Sequence, residues 1–147
     1  MGNQTVVYDK AKYHHDTIIQ NKMKIVQSEV HTAFYLGWIV EHDLISNFMR
    51  EEANWFIEDK KQIEKNAIKI YEWFDCVFLD EMLNEEGNSF TMFYFDFEKG
   101  QYIHDYMKCF NVSGGADFFG VKYNKKNYEA INKIISERYE EWKKKDA

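Results

Sequence analysis

His14, His15 and Asp16 set two imidazoles and a carboxylate side by side, the densest ligand-capable cluster in the chain. Such donors hold zinc or a related ion, or move protons near neutral pH. Adjacent side chains on extended backbone point to opposite faces, so His14 and His15 do not readily share one ion. A site there needs His31 or His42 folded against it. Those two lie eleven residues apart, on one stripe of a helix. The competing reading is structural: a histidine on an aromatic helix packs in the core and bonds a carbonyl. On that reading the chain has no metal site and no cofactor.

Other reactive patterns fail on spacing. A calcium loop starting at Asp80 needs oxygen donors at its third and fifth positions and Gly at its sixth. Met82 and Glu85 stand at the third and sixth instead. The run Gly114-Gly115-Ala116-Asp117-Phe118-Phe119-Gly120 lacks the GxGxxG spacing and the following Lys of a phosphate loop. No Ser or Cys sits in a nucleophile elbow. Paired carboxylates such as Asp80/Glu81 and Glu85/Glu86 do acid–base work only when different environments face one cleft. Cys76 and Cys109 are not in CxxC spacing and read as buried free thiols. The expectation is a protein that is not an enzyme.

Charge placement points to a partner instead. From Ile70 to Glu98 there are eight acids and no Lys or Arg, within a chain of net charge −6. A one-signed stretch steers an oppositely charged protein and speeds encounter, although many such runs are only solvated faces. Glu72, Asp75, Asp80, Glu81, Glu85 and Glu86 are the candidate electrostatic contacts, with Trp73 and Phe90 as candidate anchors. Aromatic residues make up 18% of the chain, enough for some rings to line an interface. Two arginines are too few for a phosphate-reading surface, so direct nucleic-acid binding is not expected. The longest uncharged apolar run, Thr32 to Val40, is too short for a bilayer. Met1 to Asp16 lacks the layout of a signal peptide, and Val6 replaces the Ser or Thr of a myristoylation site. These features predict a cytoplasmic protein.

The elements that must position these residues read as mainly α: one compact helical domain over 1–147, with five to six helices and an arm at 1–26 packing on them. Tyr8 to Asp16 reads as irregular. Ser28 is a candidate N-cap for a helix to His42, with His31, Trp38 and His42 on one stripe. Asp43 and Ser46 mark a turn and a new cap, and a helix over 47–60 turns Phe48, Ala53, Trp55 and Phe56 inward. A third helix spans 62–78. Asn84 to Ser89 reads as a turn with Ser89 as the next cap. Around 91–97 helical and alternating patterns compete. Helix is preferred because a lone strand has nothing to pair with, and a short irregular or β segment stays open. Tyr102 to Phe110 is a short helix, 111–124 a glycine-rich loop. Tyr128, Ile131, Ile135, Tyr139 and Trp142 mark the last helix, with Lys143, Lys144 and Lys145 at its negative end.

Three segments carry a family likeness. Tyr8-Asp9-Lys10-Ala11-Lys12-Tyr13-His14 resembles the opening signature, of YDxAKYH type, of a family of small bacterial proteins. His31 to Trp38 is similar to that family's first helix, and Met82 to Phe90 to its mid-chain turn. Relatives often carry Pro after the His14 position, whereas Thr17 to Lys24 has none. Some such proteins sit beside polymorphic or contact-dependent toxins and look like immunity proteins. The resemblance assigns no catalytic residues. It implies an immunity protein that binds a cognate bacterial toxin, a nuclease with a basic cleft. A small metal-binding protein or metal-dependent enzyme using His14, His15, His31 and His42 is the alternative, and a subunit of a larger intracellular assembly is the third reading.

Overall fold

The computed structural model describes residues 5–146, and these are 68% helical with one small antiparallel sheet. The mainly α expectation holds. The expected arm over 1–26 and the domain span 1–147 include residues 1–4 and 147, which lie outside the described residues. The chain opens on β1 (Val7–Lys10), a 3-10 turn (Ala11–His14) and α1 (His15–Gln20). After a second 3-10 turn come α2 (Val30–Glu41), α3 (Asn47–Glu52), α4 (Asn54–Ile57) and α5 (Ile63–Trp73). Then follow β2 (Val77–Leu79), α6 (Glu85–Tyr94), α7 (Tyr102–Phe110) and α8 (Lys125–Asp146).

α2 is the axis. Every residue from Val30 to Val40 is buried, the signature of a helix that is enclosed on all sides rather than amphipathic. α5 and α8 pack along it, and α6 and α7 complete the wall through α8. Trp38 has no exposed surface, and its Nε1–H donates to Ser136 Oγ at 2.9 Å. Gly37 lets α8 close on the axis: a Cβ there would stand 2.6 Å from Tyr128 Oη. That hydroxyl donates to Glu41 at 2.6 Å, so the close approach is locked at both ends.

The sheet lies in segments read as irregular and as a helix end. β1 pairs antiparallel with β2, in the register Asp9↔Phe78 and Lys10↔Val77, with an irregularity between Val7 and Asp9. Val7 is 38% exposed and Asp9 fully buried, although residues two apart on a regular strand share a face. The irregularity breaks that alternation and turns the Asp9 carboxylate inward.

The helix preferred over 91–97 holds to Tyr94, where α6 ends, and irregular turns follow. Several other expectations are corrected. The helix expected over 47–60 breaks at Ala53 into α3 and α4, and it leaves Phe48 47% and Trp55 83% exposed rather than inward. The third helix stops at Trp73, because Asp75 and Cys76 both take left-handed backbone at φ 57°. Such a pair is uncommon away from glycine and reverses the chain into β2. Ser28 does not cap α2, since its hydroxyl donates to the Ile25 carbonyl at 2.6 Å. Asn84, not Ser89, caps α6 by accepting from the Gly87 N–H at 2.7 Å. With α1 and the split, eight α-helices occur among the described residues in place of five to six. Ser46 does cap α3, accepting from Met49 N–H at 3.1 Å. The free cysteines Cys76 and Cys109 are half-buried rather than buried. No described helix is long and apolar enough to cross a membrane.

Truncating Trp38 to Ala removes a fully buried indole and should cost about 3–5 kcal/mol in urea unfolding. Gly37→Ala forces the Tyr128 ring off Glu41 and should cost roughly 1–3 kcal/mol. Near-native midpoints for both variants would show that α8 does not clamp the axis.

Candidate functional site

Two arrangements stand out: an acidic face with solvent-facing aromatic rings, and a buried carboxylate between two imidazoles. The face begins at the end of α5, where Glu72, Trp73 and Asp75 all reach solvent and Trp73 is 55% exposed. Trp73 meets Phe56 at 5.8 Å between ring centres, and Phe48 meets Phe74 at 6.2 Å. Glu81 and Glu85 are exposed farther along.

The remaining residues expected at this face have internal duties. Asp80 is half-buried and accepts the Val6 N–H at 3.1 Å, pinning the start of β1. Glu86 accepts the Tyr139 hydroxyl of α8. Glu85 and Glu86 also occupy the first turn of α6, where the helix dipole favours acids. Phe90 is not an anchor, which corrects the sequence reading: it has no exposed surface and stacks among Trp38, Tyr94, Tyr139 and Trp142. Its place on the inward stripe of α6, facing α8, is the reason.

The second arrangement is built around Asp9, which sequence reasoning passed over. The inward turn of β1 brings its carboxylate against the start of α2. Thr32 Oγ1 donates to Asp9 Oδ2 at 2.5 Å, and His14 Nε2 lies 2.8 Å from Oδ1. His31 Nε2 stands 3.1 Å from Oδ2, but the two do not meet hydrogen-bond geometry, and neither ring nitrogen of His31 has a hydrogen-bond partner in the protein. The ring is only 1% exposed, and its centre lies 5.0 Å from that of His14. Phe118 and Phe119 stand edge-on to it at 5.2 and 5.7 Å. Burial pushes the Asp9 carboxyl up, but the His14 hydrogen bond and the close imidazoles of His14 and His31 outweigh it and hold the group well below the usual carboxylate range.

Of the four histidines considered, the fold brings together only His14 and His31. His15 follows the bend from the 3-10 turn into α1 and faces a separate cavity of about 370 Å³ with Lys10, Lys12, Glu29 and Cys76. His42 sits at the far end of α2, exposed, stacked on Trp38 at 4.2 Å, with Nδ1 2.8 Å from the Trp38 carbonyl. In that cavity wall, burial and then neighbouring Glu72 push the Glu29 carboxyl up to about 8. Burial, then the charges of Glu29 and Glu72, push the Cys76 thiol up to about 12. Near neutral pH the thiol stays protonated, so Cys76 is a poor nucleophile there.

Residues 7–121 match the model of a family described as Domain of unknown function (DUF7832), and the chain belongs to that family. No curated protein and no solved structure matches it. The matched span contains Asp9, His14, His31 and Thr32 as well as the acidic face, and it ends before α8.

Thr32→Val keeps the side-chain shape and removes the hydroxyl that answers Asp9. Hydrogen bonds to buried charges carry about 1.5–3 kcal/mol, so this variant should lose that much in denaturant unfolding with its helix content intact. A loss within about 0.3 kcal/mol would mean that the carboxylate does not depend on Thr32.

Proposed function

We propose that this member of the family works by binding another protein, as an immunity protein that neutralises a basic bacterial toxin of the nuclease class. The observation that carries the reading is the exposed rings Phe48 and Trp73, each paired with a second ring, in a part of the chain that also exposes Glu72, Asp75, Glu81 and Glu85. Single exposed rings are ordinary, but ring pairs beside exposed acids are what a charged, aromatic interface needs. Indoles make good anchors because they bury a large area with few rotamers to freeze and keep an N–H for the partner. The acids add long-range attraction for a cleft that otherwise holds phosphate. The resemblance in Tyr8–His14, His31–Trp38 and Met82–Phe90 supplies the toxin context.

The test starts from the neighbouring gene: a toxin-like reading frame there is expected, a neighbourhood without one would count against the reading, and binding is measured with that frame's product. Binding should be one-to-one, with an association rate that falls as salt rises and a dissociation rate that changes less. Trp73→Ala should weaken binding about 30-fold, the size of an interface hot spot, without loss of stability. Reversing Glu81 and Glu85 to Lys should slow association several-fold; these two are chosen because Asp80 and Glu86 hold the fold. Absence of any complex would sink the immunity reading. Unchanged rates in both variants would move the interface off this face.

A further inference from the structure

We propose that Asp9, His14 and His31 bind a divalent first-row transition-metal ion, with zinc the best match. The inference stands apart from the partner-binding reading and uses none of its residues. The three donors come from β1, the 3-10 turn and α2, and their ligand atoms all lie within 4.8 Å of one another. Two imidazole nitrogens and one carboxylate oxygen form a set that zinc and its neighbours accept and that calcium or magnesium does not favour.

The state of His31 is the second observation. A ring 1% exposed, with no hydrogen-bond partner on either nitrogen, is a costly thing to bury. Its Nε2 lies 3.1 Å from Asp9 Oδ2, yet the pair is misaligned for a shared proton. That is the relation expected of two ligands that point at a common third atom. A metal ion takes the Nε2 lone pair and removes one of the two orphaned nitrogens. Thr32 supplies the orienting contact that metal-bound carboxylates characteristically have, donating to Asp9 Oδ2 at 2.5 Å. Phe118 and Phe119 keep the inner side dry. The His14 side chain keeps 17% of its surface exposed, and this is the side from which an ion enters.

On metal binding, His14 exchanges its Nε2 contact to Asp9 for the ion; a proton that Nε2 carried is released to solvent, and Nδ1 holds the ring's remaining proton. No oxidant or reductant is involved. The rival arrangement keeps that proton and makes Asp9 a simple acceptor for its neighbours, with no affinity for metal.

The full chain, stripped with EDTA and desalted, is titrated with Zn²⁺ by calorimetry and with Co²⁺ by visible absorption. The expected result is a single equivalent of each ion, Co²⁺ ligand-field bands, and a higher melting temperature with Zn²⁺ than with EDTA. His14→Gln, at the accessible edge, should weaken Zn²⁺ binding by at least about 100-fold, since losing a ligand exceeds the loss of an outer-shell partner. His15→Gln and His42→Gln should bind as the unaltered chain does, because neither side chain faces Asp9. The proposal is overturned if the unaltered chain takes up no Zn²⁺, or if His14→Gln binds it equally well. Loss of binding in His15→Gln or His42→Gln with retention in His14→Gln would equally overturn it. The titration of the unaltered chain decides the question even where a variant folds poorly.

Discussion

A carboxylate with no exposed surface must have its lone pairs answered by the protein, and Asp9 imposes that demand on the fold. The answers come from sequence positions far apart: His14 from the following turn and Thr32 from α2. An N-terminal segment of four strand residues has little apolar surface with which to hold its place. The buried charge holds it instead, because moving β1 by one residue would put Tyr8 or Lys10 where Asp9 now sits. The pairing of Lys10 with Val77, and the Ala11 N–H donated to the Cys76 carbonyl at 3.1 Å, then carry that register into β2.

α2 accepts this demand because it is already committed to the interior. A helix buried from Val30 to Val40 has no solvent face on which Thr32 and His31 could be hydrated: the Thr32 hydroxyl finds a protein partner, whereas the His31 ring nitrogens have none. Thr32 reaches Asp9, and the His31 carbonyl accepts the Tyr102 hydroxyl at 2.5 Å. A similar solution appears between α6, α7 and α8. Asp105 of α7 is nearly buried and is met by Arg138 of α8 through two bonds of 2.9 and 3.0 Å, with Tyr94 of α6 adding a third at 2.7 Å. Each buried acid ties three elements together, which gives an aromatic core of adaptable rings a defined arrangement.

What was legible in the chain was what period and composition carry. The long stripes of α5 and α8 and the apolar run of α2 are strong local signals: α2 and α8 stand close to where they were read, and α5 begins where expected but ends at Trp73. Helices broken by tertiary context were not legible. Residues 47–60 have helical spacing throughout, yet Ala53 ends one short helix and begins another, leaving Trp55 in solvent. The sheet was missed because each strand is three or four residues long and owes its existence to the other, a relation between positions about seventy apart. Asp9 was missed for the same reason: its burial depends on an irregularity in a non-local pairing. His14 and His31 were both suspected, but their meeting across α2 and the 3-10 turn is set by that strand. The exclusion of His15 follows from a bend that alternation on extended backbone did not describe.

The acidic face and the buried cluster are joined through one short stretch of chain. Trp73 ends α5, and the left-handed residues Asp75 and Cys76 lead directly into β2, whose partner strand holds Asp9. Two consecutive left-handed residues without glycine cost free energy and persist only where their surroundings over-determine them. Here the surroundings are the Cys76 N–H bonded to the Tyr71 carbonyl at 2.9 Å, and the Ala11 N–H bonded to the Cys76 carbonyl. Whatever fixes β1 therefore also fixes the turn that presents Glu72, Trp73 and Asp75. An ion held by Asp9, His14 and His31 would stiffen that turn from behind, and a pre-ordered surface loses less entropy when a partner arrives. The coupling runs both ways by thermodynamic necessity. A partner that binds only the ordered turn must tighten the cluster by the same factor by which the filled cluster tightens the partner, although the two share no residue.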